Sequence, residues 1–143
     1  SGRFEVVLTR EDDSFVSLER RIAIAHEAGG HVFISLHADA LAEGRARGAT
    51  VHLLRESASD EASQQLAERH DRDYILSGVD LSGQDDVVAG ILMDLARQET
   101  QPRAERLAKH IVDGLKQAKL PLRTRPIRYA SFSVLKSADI PSI

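Results

Sequence analysis

His37 ends an apolar run of the kind that forms a buried parallel strand, and Ala38 and Asp39 follow it. In doubly wound sheets, ligand sites lie at the carboxyl ends of the strands. An imidazole held there by a rigid strand can bind zinc or act as a general base. The alternative is a histidine that only caps the strand end by bonding to backbone. Spacing alone leaves both interpretations open.

The motifs of other catalytic classes are absent from the sequence. There is no HExxH, no GxSxG and no pair of histidines at helical spacing. The pairs Asp12-Asp13 and Asp85-Asp86 are typical of turns and helix starts rather than of a catalytic dyad. Cysteine is also absent, which excludes thiolate metal sites and disulfides. Any metal must therefore be held by His, Asp or Glu.

The elements that must position His37 alternate between strand and helix. Strands are predicted at Phe4–Thr9, His31–His37, Ala49–Leu54 and Tyr129–Leu135, with another starting at Ile140. Helices are predicted after Ser17, ending at Gly29-Gly30, after Ser59, after Asp85-Asp86, and after Thr100 with Pro102 in its first turn. The stretch Asp71–Asp86 lacks a clear period. This order predicts an α/β fold with a mostly parallel sheet and helices on both faces.

Composition narrows the function classes. The 143 residues are 42% apolar and 29% charged, which is ordinary for one globular domain. The formal net charge is 19 − 22 = −3, so the chain is not built as an electrostatic nucleic-acid binder and no nucleic-acid partner is expected. No apolar run approaches the roughly 20 residues of a transmembrane helix, so no membrane span is expected.

Several motifs, taken in order, resemble a known enzyme family. They are Val7–Arg10, Val16–Arg21 and Ile34–Ala40 near the start, Gly78–Leu81 and Asp85–Val88 in the middle, and Phe132–Lys136 and Asp139–Ile143 at the end. Together they resemble the zinc-dependent N-acetylmuramoyl-L-alanine amidases of the amidase-3 family, in its cell-division branch. The resemblance covers essentially the whole chain.

The resemblance implies a fold, a reaction and a cofactor. The whole domain is expected to contain a sheet of about six strands, and residues 1–143 are expected to be one catalytic domain truncated at both ends. The family hydrolyses the amide between N-acetylmuramic acid and the L-alanine of the stem peptide. Its zinc is held by two histidines and a glutamate, and His37 matches the second histidine. The other ligands are expected upstream of Ser1 and the catalytic glutamate just beyond Ile143, so the chain by itself is expected to be inactive.

The resemblance also implies regulation. Residues 68–99 are expected to form a helical regulatory insertion that covers the zinc cleft, with Glu68 as the first candidate for the inhibitory carboxylate and Asp73 as the second. The helix Asp85–Arg97 is then expected to be the docking surface for a LytM-domain activator protein. The expected setting is septum splitting in the periplasm, with peptidoglycan as substrate.

Two rival functions remain open. One is a non-catalytic peptidoglycan-binding or structural α/β module. The other is an unrelated α/β enzyme in which His37 is a lone base, although the sequence offers neither a nucleophile motif nor a phosphate loop for it.

Overall fold

The described part of the chain is an α/β structure. The computed structural model describes residues 2–38, 47–55, 57–76, 87–137 and 139–143, without the side chains of 70, 72–76 and 87–94. Its elements are the helices α1 (Leu18–Glu27), α2 (Glu61–Leu76) and α3 (Val87–Gln117), the strands β1 (Ala49–Leu54) and β2 (Leu122–Ala130), and a 3-10 helix at Ser133–Leu135.

Strands β1 and β2 pair in parallel, with Leu54 opposite Ala130. The chain passes from β1 through α2 and α3 to β2, the helical crossover that a parallel pair requires. Alternate β1 residues are buried, as expected of side chains that point to one face. They pack with one stripe of α3 in a single core cluster, formed by Val51, Leu53, Ala104, Ala108, Val112 and Ile143. The predicted α/β class and parallel pairing are confirmed.

A bulge interrupts the start of the β1–β2 pair. Ala49 lies opposite Leu122, but Val51 lies opposite Ile127, so four residues of β2 (123–126) stand against the single residue Thr50 of β1, three more than regular pairing has. Gly48 precedes this point with φ +88°, and a Cβ there would lie 2.7 Å from the carbonyl carbon of Leu122. Only glycine meets both demands without strain.

Helix α1 begins and ends as its sequence predicts. The Ser17 hydroxyl accepts a hydrogen bond from the Arg20 backbone N–H at 3.2 Å, which satisfies one of the unpaired donors of the first turn. Gly29, just after the helix, has φ +62°, the left-handed conformation that commonly ends helices.

The N-terminus of α2 differs from the prediction by one residue. Asp60, rather than Ser59, caps the helix, because its carboxylate accepts the Ser63 backbone N–H at 2.8 Å. The Ser59 hydroxyl instead accepts the Tyr129 backbone N–H of β2 at 2.8 Å. The predicted aperiodic stretch is helical as far as Leu76, and its remainder lies outside the described residues.

The two helices predicted before and after Thr100 form a single helix in the structure. Helix α3 runs from Val87 to Gln117 with Pro102 inside it. Thr100 is not a cap, since its hydroxyl bonds the Ala96 carbonyl oxygen at 3.3 Å, one turn earlier in the same helix. The Thr-x-Pro pattern that starts many helices also fits within a helix, because a threonine hydroxyl can bond the preceding turn instead.

The strand predicted at Phe4–Thr9 is wrong for the described structure. These residues form no regular strand, and Phe4, Val6, Val7 and Leu8 expose their side chains. The strand predicted at His31–His37 is reduced to an isolated parallel bridge between Phe33 and Ser142. A strand requires a hydrogen-bonded neighbour along its length. Among the described residues, Phe4–Thr9 has no such neighbour, and His31–His37 has only the bridge and the backbone bonds beside it. Six strands are therefore not confirmed.

The strand predicted at Tyr129–Leu135 lies earlier in the chain, at Leu122–Ala130. Strand β2 ends at Ala130, and Ser133–Leu135 turn into the 3-10 helix. The buried apolar residues that suggested a longer strand instead form a second core cluster beside α1 and α2, made up of Leu18, Phe33, Ala67, Ala130, Phe132, Val134, Leu135 and Ile140. Burial explains their apolar character without strand pairing.

Candidate functional site

His37 lies at the end of an extended segment that is tied to the end of the chain. Phe33 donates its backbone N–H to the Pro141 carbonyl at 3.0 Å, and Ile143 donates to the Phe33 carbonyl at 3.1 Å. Ser35 donates to the Ile143 carbonyl at 2.9 Å. These bonds fix the backbone to within two residues of His37. The histidine is therefore carried by a paired segment, as predicted, although the segment is shorter than a full strand.

The imidazole of His37 is exposed and contacts Ser35. Its Nε2 lies 3.0 Å from the Ser35 hydroxyl oxygen. Either atom can donate, since the role of the ring nitrogen depends on the tautomer. His37 lines an open pocket of about 930 Å³, together with Thr9, Arg21, His31 and Phe33. An accessible imidazole with one nitrogen near a hydroxyl can bind a metal or exchange a proton.

The wall of this pocket mixes apolar and cationic groups. Val7, Leu8, Ile34 and Leu36 line it, and all four are exposed. Arg21 is fixed in place, because its Nε donates to the Val16 carbonyl at 3.0 Å and its Nη1 to the Thr9 hydroxyl at 3.2 Å. The lining therefore presents exposed apolar side chains beside a guanidinium held by two hydrogen bonds.

Among the other described histidines, His26 and His52 do not line this pocket, whereas His31 does. The Nε2 of His26 in α1 lies 3.0 Å from the Asp139 carboxylate, within reach of a hydrogen bond and, when the ring is protonated, of an ion pair. His52 lies in the middle of β1 with its ring edge-on to that of Phe132, 5.0 Å between centroids. His31 is exposed on the same pocket as His37. His31 is therefore a natural control for His37.

The residues present fit one ligand of a zinc centre and not a complete set. Catalytic zinc sites use three protein ligands and leave one position open. Within the described ranges, no group of three His, Asp or Glu side chains lies close enough to hold a metal. His37 has the exposure and position of a single ligand, and the described residues do not add the others.

The two candidate inhibitory carboxylates both belong to α2. Glu68 is exposed and accepts a hydrogen bond from the Gln64 amide at 2.9 Å, one turn earlier. Asp73 lies in the same helix, and its side chain is outside the described part. The contact of either carboxylate with the zinc position stays a prediction. Residues 77–86 of the expected insertion are also outside the described residues.

The structure adds a carboxylate that sequence reasoning did not select. Asp71 of α2 accepts two hydrogen bonds from Ser133, from its backbone N–H at 3.2 Å and from its hydroxyl at 2.8 Å. The partners are 62 residues apart, so no local pattern could pair them. The only available signal was a serine at the start of a short turn, which is common.

Two carboxyl groups near these elements have lowered pKa values. Burial raises the pKa of Asp139, but the hydrogen bond from His26 and other favourable contacts outweigh it and hold the pKa below its ordinary value. The backbone N–H of Ser63 lowers the pKa of Asp60, and the Arg128 guanidinium, 3.0 Å away, contributes to the same direction. Both groups anchor elements rather than line the pocket.

No helix in the described part of the chain is both long and apolar enough to cross a membrane.

Comparison with known proteins gives a consistent family. The family profile described as N-acetylmuramoyl-L-alanine amidase, Amidase_3, matches residues 1–143. The chain is 35% identical over 137 residues to N-acetylmuramoyl-L-alanine amidase AmiA of Salmonella typhimurium, covering 95% of the chain and 47% of that protein. It is 31% identical over 143 residues to N-acetylmuramoyl-L-alanine amidase AmiC of Escherichia coli, covering 99% of the chain and 34% of that protein.

A third relative shows the same pattern. The chain is 33% identical over 144 residues to the probable N-acetylmuramoyl-L-alanine amidase AmiB of Haemophilus influenzae, covering 98% of the chain and 33% of that protein. The chain thus spans between about a third and about a half of the length of these relatives. The profile match extends over the whole chain, and the resemblance found in the sequence is confirmed: the chain belongs to the Amidase_3 family of N-acetylmuramoyl-L-alanine amidases.

Proposed function

We propose that the whole protein hydrolyses the amide between N-acetylmuramic acid and the L-alanine of the peptidoglycan stem peptide. The observation that carries this proposal is the family match over residues 1–143. The exposed imidazole of His37 on an open pocket supports it, because the reaction needs an accessible metal ligand beside room for a large substrate.

In this proposal His37 is one of three zinc ligands. Zinc, when bound, supplies a Lewis acid and lowers the pKa of its water towards about 7. The remaining ligands and the catalytic glutamate belong to parts of the whole protein outside residues 1–143. The chain's own contribution is to hold the ring: the backbone bonds at Phe33 and Ser35 fix the segment, and the Ser35 hydroxyl can orient the imidazole.

The regulatory part of the proposal concerns residues 68–99. We propose that this insertion covers the site, that Glu68 or Asp73 occupies the open zinc position, and that a LytM-domain activator docks on Asp85–Arg97 to displace it. Release is then a population shift between covered and open states. The proposed setting is cell division, in the periplasm. The support is the family membership and the position of both carboxylates on one helix, α2.

The first test replaces His37 in the full-length protein. His37→Ala should abolish release of peptides with a new N-terminal alanine from muropeptides, and should lower the zinc bound per protein. His31→Ala, on the same pocket, is the matched control and should retain both. Wild-type zinc content and activity in His37→Ala would refute the assignment. A folded, zinc-loaded wild-type protein that binds peptidoglycan but does not cleave it even with a LytM-domain activator present would favour the non-catalytic module.

The second test concerns the inhibitory carboxylate. Glu68→Gln or Asp73→Asn should raise the rate of peptidoglycan dye release without activator, since an amide binds zinc less well than a carboxylate. Glu61→Gln, in the first turn of the same helix, is the control and should leave the basal rate unchanged. Basal rates at the wild-type level in both folded, zinc-loaded variants would end this part of the proposal.

A further inference from the structure

The 3-10 helix Ser133–Leu135 is capped from a distant part of the chain. The residue before it, Phe132, offers no side-chain hydrogen bond to the unpaired N–H groups of its first turn. The Asp71 carboxylate takes this place by accepting both the backbone N–H and the hydroxyl of Ser133. Hydrogen bonds to an ionised acceptor are stronger than neutral ones. Asp71 therefore fixes where this turn lies relative to α2.

The turn is continuous with the core and with α3. Val134 and Leu135 are buried in the same cluster as Phe33 and Ile140. On the other side, Arg97 of α3 donates from Nη2 to the Lys136 carbonyl oxygen at 3.4 Å. Close-packed interiors transmit small shifts rather than absorb them. A displacement at Ser133 should thus reach the segment that follows.

The segment that follows is paired with the one that carries His37. Ile143 exchanges backbone hydrogen bonds with Phe33 and Ser35, and the Ser35 hydroxyl lies 3.0 Å from His37 Nε2. Described contacts therefore join Asp71 to His37 through Ser133, the buried cluster that Leu135 shares with Ile140 and Phe33, and the paired end of the chain.

We propose that Asp71 is a positioning residue that couples the position of helix α2 to the orientation of His37. The inference rests on the proposed function in one respect, that His37 serves as a zinc ligand. The coupling gives α2 a second way to affect the site, besides covering and uncovering it. Movement of α2 would shift the backbone of the segment that carries His37 through the packed residues between them.

The test is hydrogen exchange on the full-length protein. Asp71→Asn and Ser133→Ala each weaken the cap. Glu61→Gln removes the same charge from α2 at a carboxylate that, among the described residues, bonds Gln65 of its own helix. The first two variants should speed exchange roughly tenfold, the loss expected of one charge-assisted hydrogen bond, in residues 133–137 and at the amides of Phe33, Ser35 and Ile143. Residues 104–112 of α3 should exchange as in the wild type, as should every segment in Glu61→Gln.

A second readout follows the imidazole itself. The ring resonances of His37 should shift in Asp71→Asn and in Ser133→Ala. Both variants should also have a higher zinc dissociation constant than the wild type. Ser133→Thr keeps the hydroxyl and should restore both. Faster exchange confined to residues 133–137, or spread equally into residues 104–112, would overturn the coupling. The exchange result requires no amidase activity, so a failure of the proposed reaction is distinguishable from a failure of the coupling.

Discussion

Two short apolar segments of this chain have the same length and a strand-like composition, but different structures. Phe4–Thr9 and Ala49–Leu54 are both six residues long and both have the composition of a strand. The second is strand β1, paired with β2 and covered by α3, whereas the first exposes its apolar side chains and forms no regular strand. The comparison teaches that β-branched composition makes a segment suitable for a strand, while hydrogen-bonded neighbours and a covering face decide that one forms.

The largest effect should come from the buried member of this comparison. Leu53→Ala removes a side chain that is 1% exposed, and it should lower the free energy of unfolding by about 2 to 5 kcal/mol through lost burial and a cavity. Val7→Ala, at a side chain that is 52% exposed, should change it by no more than about 0.5 kcal/mol. Urea denaturation measures both. Equal losses would show that Phe4–Thr9 is packed in solution.

A smaller effect should distinguish two glycines that both have positive φ. Gly48→Ala meets the backbone of Leu122 at 2.7 Å, whereas an added Cβ at Gly29 meets nothing within 4 Å. Both variants should lose about 1 to 2 kcal/mol from the left-handed conformation, and Gly48→Ala should lose more because the β1–β2 start must also shift. Thermal unfolding of the two variants measures the difference. Equal losses of stability in the two variants would mean that the backbone at the bulge moves aside easily despite the 2.7 Å contact.

The capping carboxylate of α2 should give a pH-dependent effect. Because the folded-state pKa of Asp60 lies below its ordinary value of 3.8, the stabilisation is present above that value and is lost as pH falls through the folded-state pKa. Asp60→Asn should cost about 1 kcal/mol or less at neutral pH, since asparagine also caps, and should reduce the loss of stability in acid. The measurement is the unfolding free energy between neutral pH and pH about 2.5. If Asp60→Asn lost as much unfolding free energy in acid as the wild type, the role of Asp60 would be contradicted.

The smallest effect should come from the ion pair that joins α1 to the end of the chain. His26 and Asp139 are 47% and 61% exposed, and such pairs contribute about 0 to 1 kcal/mol. Asp139→Asn should therefore lower the melting temperature only slightly, and less in 1 M salt than in low salt because salt screens exposed charges. A large, salt-independent loss would show that this end of the molecule depends on the pair more than its exposure indicates.

Part of the candidate site was predictable from the sequence, and part was not. The apolar run before His37 predicted a paired segment that ends at an accessible imidazole, and the structure has both. The cap of the 3-10 helix by Asp71 was not predictable, because its partner Ser133 is 62 residues away and neither residue stands in a local motif. Long-range polar contacts depend on the packed fold, and local patterns report only neighbours along the chain.

The same distinction holds for the helices. The Ser17 hydroxyl and Gly29 predicted the limits of α1, because capping depends on residues that are adjacent in sequence. Thr100 and Pro102 predicted a helix start and instead lie inside α3. The stripe of Ala104, Ala108 and Val112 packs on β1 and β2, and the threonine hydroxyl bonds within the helix.

The sequence by itself determined the α/β class, the helix α1, the strand β1 and the family, because these depend on local composition, periodicity and the order of motifs. The tertiary structure decided which apolar segments became strands, that α3 is one helix, and that Asp71 bonds Ser133. The physical reason is that strand pairing and non-local hydrogen bonds need partners that are brought near only by the packing of the core.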